Sequence, residues 1–143
     1  MVAPAADEEP ASPRRASRIL VIDDEEEEVR EVLADLLRSD GHSVVERADG
    51  ASAIRALEQE QFDLVVTDLG MPDVSGWDVA GEVKRRQPRT PVALVTGWGA
   101  TIDREDASAR GVDFILGKPF RGADVRRTIE RAVRRGPVAA PDA

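Results

Sequence analysis

The sequence contains no cysteine. Disulfide bridges, zinc–thiolate centres and thiol nucleophiles are therefore excluded, and a reducing compartment is compatible with the composition. No apolar run approaches the roughly 18 residues that a membrane span requires. The opening stretch MVAPAADEEPASPRRAS puts acids and prolines where a secretory signal needs an apolar segment. A cytoplasmic location without membrane attachment is expected. Excess positive charge is missing too: 20 Lys and Arg stand against 28 Asp and Glu, a net charge of −8. That balance disfavours nucleic-acid binding driven by phosphate neutralisation. Neither a G-x-G-x-x-G run nor a Walker lysine loop occurs, so the usual phosphate cradles of nucleotide-binding folds are absent. The one histidine, His42, is read as a packing or surface residue, not as a phosphodonor or metal ligand.

What is present suits one domain with one core: 143 residues, 41% of them hydrophobic. Residues 1–17 and 136–143 are rich in Ala, Pro and charge without periodicity and are expected to be disordered tails. Between them, at 18–135, short strand-like apolar runs recur: ILVI from Ile19, SVVE from Ser43, LVVT from Leu64, VALV from Val92 and FIL from Phe114. The segments after the first, second, third and fifth runs carry helical spacing. Val29, Val32, Leu33, Leu36 and Leu37 form one predicted helix face closed by Gly41. Ala53, Ile54 and Leu57 form the next, then Trp77, Ala80 and Val83, and last Val125, Ile129, Ala132 and Val133. After the fourth run, DREDASARG predicts a short, weakly amphipathic helix. Alternating apolar strands and helices imply a parallel sheet covered on both faces. Five such units predict a flavodoxin-like (βα)5 doubly wound fold with strand order 2-1-3-4-5, in which ligands bind beyond the carboxyl ends of the strands.

Chemistry-bearing residues cluster at those ends. The first strand ends in Asp23 and Asp24, the third in Asp68 and the fourth in Thr96, while Lys118 follows the fifth. Two carboxylates about 4 Å apart repel by roughly 4 kcal/mol at an effective dielectric near 20. Three converging carboxylates therefore call for a hard cation, and Mg²⁺ is suited by one or two carboxylates plus waters. Glu25 to Glu28 need no ion, because they fall in the first turn of a helix, where the macrodipole favours acids. Lys118 and Thr96 give the same edge a point charge and a hydroxyl donor for a tetrahedral anion. Asp68, directly after the central strand, is the best candidate for a carboxylate nucleophile toward phosphoryl groups. Lys84, the only other lysine, is read as a surface charge, and Trp77 as packing.

At these residues the sequence resembles a known family. ILVIDDE, DLVVTDLGMPDVSGWDV, PVALVTGWG and GVDFILGKPF are similar to the motifs of response-regulator receiver domains, the CheY-like family of two-component signalling. The resemblance covers nearly all of 18–135. It implies that Asp68 is the phosphoacceptor and that Asp24, Asp68 and the Gly70 backbone carbonyl ligate Mg²⁺, with Asp23 assisting. It further implies that Thr96 and Lys118 contact the phosphoryl oxygens and that Pro119 fixes the following loop, usually through a cis Lys-Pro bond. The donor would be a phosphohistidine on a histidine kinase or a histidine phosphotransfer protein. Phosphorylation would alter the face made by the fourth helix, fifth strand and fifth helix, through which a downstream protein or a second copy could bind. The chain would be no enzyme beyond its own phosphorylation and autodephosphorylation. Where the family commonly has an aromatic switch residue, this sequence has Ile115, with Phe114 expected on the opposite face. Gly70 and Trp98 should border the phosphoryl site.

Two other classes compete with a single-domain phosphorelay receiver. A phosphate-independent interaction module would have no use for costly clustered carboxylates. A haloacid-dehalogenase-like phosphatase would need D-x-D after its first strand and usually a cap domain; here the pair is D-D. No helix-turn-helix is recognisable after the arginine-rich last helix, whose Arg126, Arg127, Arg131, Arg134 and Arg135 are expected to form a solvated face.

Overall fold

The computed structural model describes residues 17–23, 27–71, 73–97, 102–117 and 121–135, with the side chains of 27–29 and 133–135 excepted. In chain order these form β1 (Arg18–Ile22), α1 (Glu27–Ser39), β2 (Ser43–Arg47), α2 (Gly50–Gln59) and β3 (Leu64–Asp68). They continue with α3 (Gly76–Arg86), β4 (Val92–Thr96), α4 (Arg104–Ala109), β5 (Phe114–Gly117) and α5 (Gly122–Arg135). All four strand pairings are parallel, and the sheet order is β2-β1-β3-β4-β5. This is the predicted 2-1-3-4-5 arrangement. The three central strands are apolar because both of their faces are covered. Leu20, Ile22, Val65, Val92 and Leu94 pack under α2, α3 and α4. Ile19, Val21, Leu64, Val66, Ala93, Val95, Phe114 and Leu116 pack under α1 and α5.

Local chemistry sets the helix limits. Asp49 caps α2 by accepting from the Ser52 N–H at 2.7 Å, a bond that holds its carboxyl below the usual carboxylate range. Ser75 and Asp78 form a capping box at the start of α3. Gly41 ends α1 with φ +95°, a conformation that costs glycine nothing, and donates to the Arg38 carbonyl at 2.9 Å. The expected short fourth helix is present, capped by Asp103.

The structure corrects one reading of a helix face and adds partners to another residue. Val32 was placed on the core face of the first helix, yet it is 60% exposed. At 100° per residue it lies about 140° around the helix from buried Leu37, so Leu33, Ala34 and Leu37 fill the interface and Val32 faces water. Lys84 is a partly exposed surface charge, and a paired one. Its Nζ donates to the Thr90 carbonyl and to Asp113, each at 2.9 Å, tying α3 to the approaches of β4 and β5. A polar knot around the buried Gln87 side chain lies nearby. Gln87 Oε1 accepts from the Phe62 N–H at 2.9 Å, while Gln87 Nε2 donates to the Leu57 and Glu60 carbonyls at 3.1 and 2.8 Å. Among the described residues no helix is long and apolar enough to cross a membrane.

Candidate functional site

Parallel pairing brings the carboxyl ends of neighbouring strands to one edge. Ile22 pairs with Thr67, so the next residues on the two strands, Asp23 and Asp68, emerge side by side. Asp68 pairs with Val95, which sets Thr96 one step further along β4, and Thr96 in turn pairs with Gly117, the last residue before Lys118. Asp23, Asp68 and Thr96 are 2%, 6% and 2% exposed. Burying two adjacent carboxylates is costly unless each is compensated, which is the electrostatic condition a bound cation relieves.

The backbone at this edge is held firmly. The Asp23 N–H donates to the Arg47 carbonyl at 3.2 Å, and the Leu69 N–H to the Val95 carbonyl at 3.1 Å. The buried Thr67 hydroxyl donates to the Asp68 carbonyl at 2.9 Å. The Gly76 N–H closes the β3–α3 loop onto the Leu69 carbonyl at 3.0 Å. Gly76 has to be glycine sterically: a Cβ there would strike the Asp68 carbonyl oxygen and lie 2.9 Å from both Leu69 Cα and Leu94 Cδ1. Gly70, two residues past Asp68, is exposed, and a Cβ there would meet no atom within 4 Å. That residue stands at an open rim.

Ile115 is half-buried against the α2–α3–α4 side of the sheet, whereas Phe114 packs on the α1–α5 side beneath the Arg131 guanidinium. The two faces alternate as expected. Asp24, Lys118, Pro119 and Trp98, and residues 1–16 and 136–143 of the expected tails, lie outside the described residues; Ser17, placed at the end of the first tail, is buried, and its carbonyl accepts from the Ser43 N–H at 2.8 Å. Among the described residues no group of three or more His, Cys, Asp or Glu side chains forms; the two acids brought together are Asp23 and Asp68. Two carboxylates fit the needs of Mg²⁺, which retains several waters. Sequence reasoning missed Thr67 and Arg30, whose side chains bond backbone carbonyls at the site. Neither residue type carries a local signal for that role.

Fold and site together define a receiver, and the residues from Ile19 to Glu130 match the family model of the response regulator receiver domain. The chain belongs to this family. Among curated proteins it is 36% identical over 124 residues to the transcriptional regulatory protein TcrA of Mycobacterium tuberculosis, an alignment covering 87% of this chain and 49% of TcrA. The chain spans about half the length of TcrA and of other curated relatives that it matches. Among solved structures, it is similar to the receiver domain of a Pseudomonas aeruginosa PAO1 sensor histidine kinase, which has a magnesium ion coordinated in its active-site cleft. That match has a TM-score of 0.75 and 28% identity and covers 84% of this chain and 99% of the other. A second is the response regulator TrrA of Thermotoga maritima in complex with Mg²⁺-BeF, with a TM-score of 0.71, 30% identity, and coverage of 80% and 97%.

Proposed function

We propose that this receiver accepts a phosphoryl group on Asp68 from a phosphohistidine of a sensor kinase or histidine phosphotransfer protein. The observation that carries the reading is the side-by-side burial of Asp23 and Asp68 at adjoining strand ends with Thr96 on the next strand. Asp23, Asp24, Asp68 and the Gly70 carbonyl would hold Mg²⁺, which when bound offsets negative charge on the acids and on the phosphoryl oxygens. The Asp68 carboxylate attacks phosphorus in line, forming an acyl phosphate as the bond to the donor imidazole nitrogen breaks. The Thr96 hydroxyl and the Lys118 ammonium hold the equatorial oxygens. Water later cleaves the acyl phosphate, returning the carboxylate and inorganic phosphate. Occupancy shifts a two-state equilibrium read out at the α4–β5–α5 face, with Ile115 a passive filler in place of an aromatic switch. The receiver engages a separate protein or a second copy and itself contacts neither nucleic acid nor membrane.

The fit of both groups is tested by titrating beryllofluoride in the presence and absence of Mg²⁺ and following bound fluorine by NMR. A complex that forms only with Mg²⁺, and is lost in Asp68→Asn, is expected. Failure to form one despite Mg²⁺ binding would favour a module that engages its partner without phosphate.

A further inference from the structure

Arg30 lies in the first half of α1, and its side chain is only 15% exposed although it carries a full charge. Its Nη1 donates to the backbone carbonyl of Asp23 at 2.8 Å, and its Nε donates to Glu46 Oε1 at 3.3 Å. Glu46 stands on the edge strand β2, where its other oxygen accepts from Arg38 Nη1 at 3.0 Å; Arg38 Nη2 in turn reaches the Val44 carbonyl at 3.0 Å. Two arginines of one helix thus clamp a single carboxylate, and one of them extends to the acidic site. Since the Asp23 N–H is taken by the Arg47 carbonyl, the backbone of Asp23 is held at both its donor and its acceptor. The Arg30 bond also ties the carboxyl end of β1 to α1.

The residue type fits the task. A planar guanidinium offers Nη1 to the carbonyl and Nε to the carboxylate from a rigid fork, whereas an ammonium, which can also hold a carbonyl and a carboxylate as Lys84 does, makes both bonds from one atom on a flexible stem. Its pairing with Glu46 also offsets its charge locally, so it can donate beside an acidic site without repelling a cation there.

We propose that Arg30 is a positioning residue for the acidic site: by holding the Asp23 carbonyl it fixes the backbone of Asp23 and thereby sets the affinity for a divalent cation. This rests on the reading of that site as one for Mg²⁺ and a phosphoryl group. The test is calorimetric titration of Mg²⁺ into the full chain as wild type, Arg30→Ala and Arg30→Lys, each checked for its fold by circular dichroism. Loss of one charge-assisted hydrogen bond should weaken Mg²⁺ binding about tenfold, and Arg30→Lys should not rescue it, because it keeps the charge without the fork. At saturating Mg²⁺ the rate of phosphoryl uptake from acetyl phosphate should return to the wild-type value, a split between affinity and rate that a general loss of stability would not produce. Charge alone predicts the opposite sign, with Arg30→Ala binding Mg²⁺ more tightly and Arg30→Lys like the wild type. Either that pattern or unchanged affinity in both variants overturns the role. If Arg30→Ala does not fold, Arg30→Lys carries the test by itself. A wild-type chain that binds no Mg²⁺ overturns the site reading and this role with it, whereas a binding wild type matched by Arg30→Lys overturns the role of Arg30 alone.

Discussion

Gly76→Ala should damage stability and phosphoryl uptake together. The added Cβ would strike the Asp68 carbonyl oxygen and lie 2.9 Å from Leu69 Cα and Leu94 Cδ1. Leu94 can turn aside, but the other two atoms belong to the backbone of the proposed phosphoacceptor and its neighbour. Relief therefore requires the first turn of α3 to lift, stretching the Gly76 N–H bond to the Leu69 carbonyl, or the Asp68 peptide to shift, straining its bond from the Thr67 hydroxyl. Overpacking of this kind costs about 1–3 kcal/mol, and with a backbone bond strained as well we expect about 2–3 kcal/mol. A misplacement near 1 Å at a reacting group can cost about a hundredfold in rate, so a shift of a few tenths should cost about tenfold. Urea unfolding followed by far-UV circular dichroism reads the first quantity, and the rate of uptake from acetyl phosphate under fully folding conditions reads the second. Gly81→Ala is the internal control. A Cβ there meets nothing within 4 Å in the same helix, and the change should stabilise by about 0.5–1 kcal/mol. A Gly76→Ala protein within about 0.5 kcal/mol of wild type and phosphorylated at the wild-type rate would refute the steric argument.

Three further outcomes follow from the packing. Gln87→Leu orphans the Phe62 N–H and the Glu60 carbonyl, whose side-chain partner it removes, and should cost about 3–4 kcal/mol in urea unfolding. For His42, burial holds the imidazole below its usual 6.5 although Asp40 and Asp63 pull the other way, and its Nδ1 accepts from the Ser17 N–H at 3.3 Å. Below about pH 6.5 the unfolded chain therefore binds a proton that the folded chain resists, so stability falls as pH drops through that value. His42→Asn should remove that component of the slope, and an identical pH profile in the variant would contradict it. Asp73 holds φ +66° without being glycine; Asp73→Gly should raise the unfolding midpoint by the equivalent of about 0.5–1 kcal/mol, and a lower midpoint would count against strain at this turn.

The fold was legible in the sequence because a parallel sheet covered on both faces leaves a plain imprint: short runs such as LVVT and VALV, separated by helical spacing. The site was legible for a related reason. Once the strands are parallel, Asp23, Asp68 and Thr96 must reach one edge whatever the details of the loops between them. Helix faces were less certain. Val29 through Leu37 offered apolar residues over too wide an arc, and only the position of the sheet decides that Val32 is left in water. The polar contacts that fix the site could not be read at all. Arg30 looks like one more charge on an amphipathic helix, and Gln87 like a helix terminus. Their partners, the Asp23 carbonyl and the Phe62 N–H, are backbone groups that no side-chain pattern announces. The partner of Lys84 was hidden for the same reason, since Asp113 stands 29 residues away.

The phosphoacceptor claim is tested most directly by intact-mass spectrometry after incubation with acetyl phosphate, comparing wild type with Asp68→Asn, each with Mg²⁺ and with chelator. Gain of a single phosphoryl group by the wild type alone, and only with Mg²⁺ present, is the expected result. An adduct of equal yield in Asp68→Asn would contradict the assignment of Asp68, and no adduct in a wild-type chain that binds Mg²⁺ would contradict the relay itself.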